Sequence, residues 1–79
     1  MGKYVLYVTK NCGTCERVKS LIKKMNLDIE VKRAGEEEIK EFRNQKILSF
    51  PVLTDEQLKV IAHGSAAGYY IAENISKFK

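Results

Sequence analysis

Residues 4–25 read YVLYVTKNCGTCERVKSLIKKM, an apolar run followed by a pair of cysteines and then by a run of helical periodicity. The apolar run carries bulky side chains on both of its alternating faces, which is typical of a strand covered on both sides of its sheet. We therefore predict a central strand over Lys3 to Thr9, ending just before the cysteines.

A helix is predicted directly after this strand, over roughly residues 13–26. Charged side chains occupy one face of the run, and apolar side chains recur on the other face at steps of three and four. The apolar positions are Cys15, Val18, Leu21, Ile22 and Met25. Because Cys15 belongs to this stripe, it should point inward, while Cys12 precedes the helix and should lie at its exposed tip.

Alternating side chains over residues 27–32 predict a half-exposed second strand near a sheet edge. Because a helix connects the first two strands, they should run parallel, with a right-handed crossover. Gly35 then breaks the chain before three glutamates, whose charge suits the positive end of a helix. We predict this second helix over residues 36–46, with Ile39 and Phe42 on its buried face.

The last third of the chain predicts a hairpin and a final helix. Residues 50–53 and 58–62 form short strands in this interpretation, joined by a polar turn over residues 54–57. Gly64 ends the hairpin, and Ser65 is the expected N-terminal cap of the helix. One face of that helix carries four apolar residues: Ala67, Ile71, Ile75 and Phe78.

The predicted order of elements is βαβ-α-ββα, which gives a four-stranded mixed sheet flanked by helices. A CxxC motif beside a βαβ pattern is typical of redox proteins with a thioredoxin fold, and we predict this α/β fold for the chain. At 79 residues there is room for one modest hydrophobic core, so we expect a single domain over residues 1–79.

Composition narrows the class of protein further. Hydrophobic residues make up 44% and charged residues 30% of the chain, as in folded soluble domains. The net charge of +4 includes basic residues around the cysteines, but no aromatic residue lies among them, which argues against a nucleic-acid partner. The first apolar run is too short for a signal peptide or a membrane span. Small secreted domains usually contain several disulfides, whereas one local cysteine pair would stabilise this chain little. We therefore expect a cytoplasmic monomer without a membrane partner.

The two cysteines carry the predicted chemistry, because thiols at this spacing can close a disulfide and open it again. Backbone N–H groups and the dipole at the helix start should lower the pKa of Cys12 below its free value of about 8.5, and Lys10 adds a positive charge nearby. Cys12 should attack a substrate disulfide, and Cys15 should then resolve the mixed disulfide. Gly13 lets a substrate backbone approach, and Thr14 is expected to cap a backbone group or bond a sulfur.

Phe50-Pro51 is the second informative place in the sequence. In a thioredoxin-type sheet, the loop before the third strand faces the CxxC turn. A cis bond in that loop exposes the backbone of Phe50 for pairing with an extended substrate. We therefore predict a cis peptide bond before Pro51 and place both residues in the substrate-binding site.

Three segments resemble the landmarks of glutaredoxins: Tyr7 to Cys15, Ser49 to Val52, and His63 to Ser65. The length of the chain and its element order match that family over essentially the whole sequence. The resemblance implies an enzyme, a thiol-disulfide oxidoreductase that reduces protein disulfides or glutathione-mixed disulfides without a bound cofactor.

The same resemblance implies roles for individual residues. Cys12 becomes the nucleophile, Cys15 the resolving thiol and Pro51 the cis-proline. Gly64 and Ser65, at the place where the family binds glutathione, become candidate substrate contacts, and no residue is assigned to a metal. Lys10, Gly13 and Thr14, which lie next to the cysteines in the sequence, are also predicted to contact the substrate.

The chain departs from glutaredoxins at several of these positions. Gly13-Thr14 stands where the family usually has Pro-Tyr, Thr9 stands where it commonly has a basic residue, and only Gly64 remains of a Gly-Gly pair that precedes an acid. Redoxins that serve ribonucleotide reductase and are reduced by thioredoxin reductase depart at the same places. Glutathione and thioredoxin reductase therefore both stay candidate electron sources, and ribonucleotide reductase is a candidate partner.

Other interpretations of the cysteines stay open at the level of sequence. Some glutaredoxins with Gly after the first cysteine hold a [2Fe–2S] cluster between two subunits with glutathione, and the resemblance allows the same here. Zinc is less favoured, since two cysteines and His63 supply at most three ligands. A purely structural disulfide would stabilise little across so short a loop. His63 is expected to be a loop residue rather than a catalytic one.

Overall fold

Residues 4–10 and 12–79 are described by a computed structural model of the chain. Their strands and helices follow in the order β1 (Tyr4–Val8), α1 (Gly13–Met25), β2 (Ile29–Arg33), α2 (Glu36–Asn44), β3 (Val52–Asp55), β4 (Val60–His63), α3 (Ser65–Glu73) and α4 (Ile75–Phe78). The predicted start of the first strand, Lys3, lies outside the described residues, and Thr9 lies beyond the end of β1. No helix within the described residues is long and apolar enough to cross a membrane.

The four strands form a mixed sheet in the order β2-β1-β3-β4. β1 pairs in parallel with β2 and antiparallel with β3, and β3 pairs antiparallel with β4. The predicted mixed sheet, with a central first strand, an edge second strand and a closing hairpin, is thereby confirmed. β4 runs in the same direction as β1, so the C-terminal ends of both strands lie on the same side of the sheet. The helices that follow these strands, α1 and α3, begin on that side.

The side chains of β1 alternate between two hydrophobic cores, one on each face of the sheet. Leu6 and Val8 belong to the core that is covered by α1, α3 and α4. Val5 and Tyr7 belong to the opposite core, where Phe42 of α2 is fully buried. This two-sided burial explains why the strand is apolar on both faces.

The third strand lies two residues later in the chain than predicted. It spans Val52–Asp55, so Phe50-Pro51 lies before it, and two residues of the expected turn lie inside it. Thr54 is fully buried, and its hydroxyl donates to the carbonyl oxygen of Val5 at 3.4 Å. A polar side chain whose hydrogen bond is satisfied can be buried at little cost. Its polarity was therefore a misleading sign of a turn.

The chain between α1 and β2 also differs from the prediction. α1 ends at Met25 because Asn26 adopts a left-handed backbone conformation with a φ of 52°. The backbone N–H of Leu27 then donates to the carbonyl oxygen of Ile22 at 3.0 Å, which closes the end of the helix. β2 consequently begins at Ile29 rather than at residue 27.

Two further boundaries move because single residues adopt left-handed backbone conformations. α2 ends at Asn44 rather than at residue 46, and Lys46 has a φ of 62°. Leu58 has a φ of 63°, which keeps it in the connection between β3 and β4. β4 therefore spans Val60–His63 rather than residues 58–62, and His63 is the last residue of a strand rather than a loop residue.

The predicted final helix is interrupted at Asn74, which separates α3 from α4. The side-chain amide of Asn74 donates to the carbonyl oxygen of Tyr70 at 2.8 Å. That oxygen is the acceptor that a continuous helix would offer to the backbone N–H of residue 74, so the side chain competes with the helix. α4 then places Phe78 in the core, where it is 1% exposed.

Candidate redox site

The two cysteines form a disulfide at the N-terminus of α1, with their Cα atoms 5.2 Å apart. Cys12 is the residue that caps the helix and has an extended backbone, with a φ of −111° and a ψ of 105°. Cys15 belongs to the first turn and is 1% exposed, whereas Cys12 is partly buried. The two cysteines therefore differ in accessibility in the direction that the helical periodicity predicts, although Cys12 is less exposed than expected.

The sulfur of Cys12 takes the place of a capping oxygen. The backbone N–H of Cys15 donates to Cys12 Sγ at 3.1 Å, and the N–H of Glu16 donates to the Cys12 carbonyl oxygen at 3.2 Å. The Cys15 N–H is one of the donor groups that a helix start leaves unpaired, and it favours negative charge on the sulfur, whereas the Glu16 N–H makes the first hydrogen bond within the helix. Thr14, the predicted cap, is instead the second residue of the helix. The cap is thus provided by the sulfur of Cys12.

The loop before β3 faces this sulfur. The peptide bond between Phe50 and Pro51 is cis, and the Phe50 carbonyl oxygen lies 3.7 Å from Cys12 Sγ. Pro51 is buried, and its carbonyl oxygen accepts a hydrogen bond from the backbone N–H of Gly64 at 2.8 Å. The structure therefore brings Cys12, Phe50, Pro51 and Gly64 together from three separate parts of the chain.

Gly64 rather than Ser65 caps α3, which corrects the prediction for this helix start. Gly64 has a φ of 64°, and Ser65 is the first helical residue. Ser65 lines a groove between α1 and α3 that Thr14 also lines, so both predicted substrate contacts lie along the same surface. A positive φ at the cap favours glycine, which explains why the serine is displaced by one position.

Gly13 and Lys10, the remaining predicted contacts, are both exposed beside Cys12 in the sequence. A Cβ at Gly13 would meet no atom within 4 Å, so the space above the helix tip is open to a substrate. Lys10 takes part in neither of the ion pairs found among the described residues. The structure leaves the Lys10 side chain without a demonstrated contact to the site.

A hydrogen bond between Ser49 and His63 adds a feature that sequence reasoning missed. Ser49 Oγ lies 3.0 Å from His63 Nδ1, and a Cβ at Gly64 would lie 3.0 Å from the same oxygen. This pair ties the loop before Pro51 to the end of β4. The two residues are 14 positions apart, and no local pattern in the sequence links them.

The side chains at the site determine whether it could bind zinc or an iron-sulfur cluster. No group of three or more His, Cys, Asp and Glu side chains within residues 4–10 and 12–79 is arranged to hold a metal ion. The cysteine pair supplies two sulfur ligands, whereas a structural zinc ion or an iron-sulfur cluster takes four ligands. A cluster would need further ligands from a second chain or from glutathione, and it stays a prediction.

A scan of the sequence against protein-family models finds no match, and a search of curated proteins finds no relative. Fold and site alone therefore define the class of protein. The chain is a small α/β protein with a four-stranded mixed sheet and a disulfide of CxxC spacing. These features are compatible with a thioredoxin-like protein, and the close cysteine pair is compatible with redox activity.

Proposed function

We propose that this chain is a small dithiol oxidoreductase with a thioredoxin fold, similar in design to the glutaredoxins. The observation that carries the proposal is the position of the disulfide, which lies at a helix N-terminus and faces the Phe50-Pro51 loop. A disulfide kept only for stability gains most when it closes a long loop. A bridge between Cys12 and Cys15 closes a very short one, so repeated opening and closing explains it better.

The proposed reaction transfers two electrons from the cysteine pair to a substrate disulfide. The Cys12 thiolate attacks one substrate sulfur, so a Cys12–substrate S–S bond forms as the substrate S–S bond breaks and releases a thiolate. Cys15 then loses its proton and attacks the Cys12 sulfur, which releases the second substrate thiolate and restores the Cys12–Cys15 disulfide. The substrate is reduced, the pair is oxidised, and the released thiolates take up protons from solvent.

The surrounding residues support this division of roles. The Cys15 N–H that donates to Cys12 Sγ favours the thiolate that starts the reaction. Cys15, buried below the helix tip, is shielded from substrates but stays close enough to attack Cys12. The Phe50 carbonyl oxygen is a candidate acceptor for a backbone N–H of an extended substrate. Gly13 leaves room for that backbone, since a Cβ there would meet no atom within 4 Å.

Turnover needs a thiol reductant that returns two electrons to the pair. The resemblance to glutaredoxins suggests glutathione, two molecules of which would supply two thiols and leave as glutathione disulfide. Gly13-Thr14 and the single glycine at Gly64 favour the second source, a thioredoxin reductase, as in redoxins that serve ribonucleotide reductase. A reducing cytoplasm is the compartment in which either cycle would run.

A matched pair of variants tests the mechanism. Cys12→Ser should abolish reduction of insulin disulfides by the dithiothreitol-reduced protein, whereas Cys15→Ser should form a mixed disulfide with the substrate that persists and is visible as a mass increase. Both variants lose the same disulfide, so any loss of stability is common to them. Equal activity in both variants and the parent would contradict the proposal.

The electron source is decided by a second measurement. The oxidised protein is mixed either with glutathione and glutathione reductase or with thioredoxin reductase, and NADPH consumption is followed in each case. We expect efficient turnover with one system only. If neither system reduces the pair and dithiothreitol alone does, both proposed electron sources are wrong.

A further inference from the structure

A groove between α1 and α3 reaches the CxxC segment at Thr14. Thr14, which lies between the two cysteines, is at one end, and Leu21 lies two helical turns further along α1. Each helix contributes residues at spacings of three, four and seven, which fall on one helix face. The α1/α3 groove is defined by Thr14, Arg17 and Leu21 of α1 and by Gly68, Tyr69 and Ala72 of α3.

The floor of the groove is formed where the two helices come closest. A Cβ at Gly68 would lie 3.2 Å from Val18 Cγ2, so glycine lets α3 approach α1. Ala72, one turn further along α3, also lines the groove with a small side chain. The small residues leave a depression where two packed helices would otherwise fill the surface with side chains.

We propose that the α1/α3 groove binds an extended segment of the substrate protein beside its reactive cysteine, and that this segment carries large apolar side chains and a carboxylate. The inference rests on the proposed function, because it assigns the substrate class of the same disulfide. Its occupant is a protein segment rather than a small thiol.

The apolar part of the proposal rests on the walls of the groove. Tyr69 is 70% exposed, although the other aromatic residue beside it, Tyr70, packs against Phe78 and Lys77. Leu21 supplies an aliphatic wall across from it. Exposed aromatic side chains that border a depression are typical anchors of protein interfaces. A substrate side chain placed between Tyr69 and Leu21 would cover apolar surface on both.

The carboxylate part rests on charge. Arg17 is the charged residue that lines the groove, and neither ion pair of the described residues includes it. Its guanidinium group can bind a carboxylate through two parallel hydrogen bonds. The chain as a whole carries a net charge of +4, which also favours an acidic partner.

The length of the groove fits a short extended segment. The helix rises about 10 Å over the seven steps from Thr14 to Leu21, and three residues of extended chain span about the same distance. A substrate cysteine that reaches Cys12 would therefore place its next three residues along the groove.

Two other occupants fit the groove less well. Glutathione supplies carboxylates but has no large apolar side chain for Tyr69 and Leu21. A symmetric second copy of the chain would bring two Arg17 side chains to the same interface, where like charges repel.

Two symmetric peptide disulfides of equal length test the proposal in single-turnover reactions. One carries Phe, Glu and Leu on both sides of its cysteine, and the other carries Ser, Lys and Ser, so that the direction of binding does not matter. The dithiothreitol-reduced protein, freed of reductant, is mixed with each peptide, and released peptide thiol is measured after acid quenching. We expect about tenfold or more faster reduction of the apolar acidic peptide below saturation.

Variants then test whether the groove residues cause the preference for the apolar acidic peptide. Tyr69→Ser, Arg17→Glu and Ala72→Phe, which fills the groove, should each lower the ratio of the two rates severalfold. Arg43→Glu, an equal charge change at an exposed position of α2 on the opposite face of the sheet, should keep the parental ratio. Ala72→Phe adds volume without removing a contact. It therefore tests the groove even if Tyr69→Ser fails to fold.

The outcomes separate the two hypotheses. Reduction of neither peptide would overturn the proposed function. Equal rates for both peptides, or a preference that survives all three groove variants, would overturn the groove inference and leave the proposed function intact. Faster reduction of a glutathione-mixed disulfide than of either peptide, with the same dependence on Tyr69 and Arg17, would assign the groove to glutathione and also overturn the inference.

Discussion

Gly64 joins two parts of the candidate site through its own backbone. Its N–H donates to the carbonyl oxygen of Pro51, and it caps α3 with a φ of 64° and a ψ of −145°. This region of backbone space is almost restricted to glycine, because a Cβ there collides with neighbouring backbone atoms. The space beside it is also occupied, since a Cβ would lie 3.0 Å from Ser49 Oγ. Two independent reasons therefore require glycine at this position.

Gly64→Ala should lower the free energy of unfolding by about 1–3 kcal/mol, because it adds backbone strain and displaces Ser49. Gly13→Ala is the matched control. Its Cβ would meet no atom within 4 Å at the first residue of α1, so this variant should change stability by about 0.5 kcal/mol or less. Urea unfolding of both variants measures the difference. Equal stability of the two variants would show that the conformation at Gly64 carries no cost for alanine.

The reactivity of Cys12 depends on the pKa of its thiol. The helix N-terminus and the N–H of Cys15 act on its sulfur, so the pKa of Cys12 should lie below the ordinary thiol value of about 8.5. The pKa is measured by thiolate absorbance in Cys15→Ser, which leaves one thiol and keeps the backbone donor. The buried Cys15 in Cys12→Ser is the comparison, and its pKa should be the higher of the two. A lower pKa for Cys15 than for Cys12 would contradict the assignment of Cys12 as the nucleophile.

At the scale of elements, sequence periodicity predicts the structure well where one period holds over many residues. β1 and α1 lie close to their predicted positions because their apolar patterns match the two faces of the sheet. β3 was misplaced because Thr54 is buried through a hydrogen bond to a distant strand, which no local pattern encodes. The interruption at Asn74 was missed because its side chain can bond Tyr70 only once the helix has formed.

α4 is the element whose contribution to stability is easiest to isolate. Phe78 is 1% exposed and meets Tyr4 edge to face, with ring centroids 4.8 Å apart. Phe78→Ala should therefore lower the free energy of unfolding by about 3–5 kcal/mol. Leu48→Ala is the control, because Leu48 is 76% exposed and its loss should change stability by about 0.5 kcal/mol or less. Urea denaturation measures both, and a small effect at Phe78 would mean that α4 is not part of the core.

At the scale of the whole molecule, the sheet brings together residues that the sequence keeps apart. The cysteine pair and the proline were predicted because each has a local signature, and the topology then explains why they meet. Ser49 with His63, and Arg17 with Tyr69, carry no such signature. Their proximity depends on how β4 and α3 are placed next to α1, which follows from the tertiary structure alone.

Stability at alkaline pH is a property of the whole molecule to which Tyr7 and Lys77 should contribute. Burial, with Glu38 and Glu30 nearby, raises the pKa of Tyr7 above 10.0, and a hydrogen bond to Tyr70 raises the pKa of Lys77 above 10.5. Both groups hold their proton more tightly in the folded chain than in the unfolded chain. The folded state therefore binds more protons once the pH exceeds these ordinary values, and the free energy of unfolding must fall as the pH rises further.

Below about pH 9 both groups are protonated in either state, so they should add no pH dependence there. Tyr7→Phe removes one titrating group and keeps the ring that packs edge to face on Phe42. The variant should lose stability less steeply than the parent from about pH 10 upward, because the folded state of the parent keeps a Tyr7 proton that its unfolded state loses, and the variant lacks this difference. Urea unfolding of both proteins at a series of pH values gives the two slopes. Parallel curves through the alkaline range would show that the Tyr7 proton is not linked to folding.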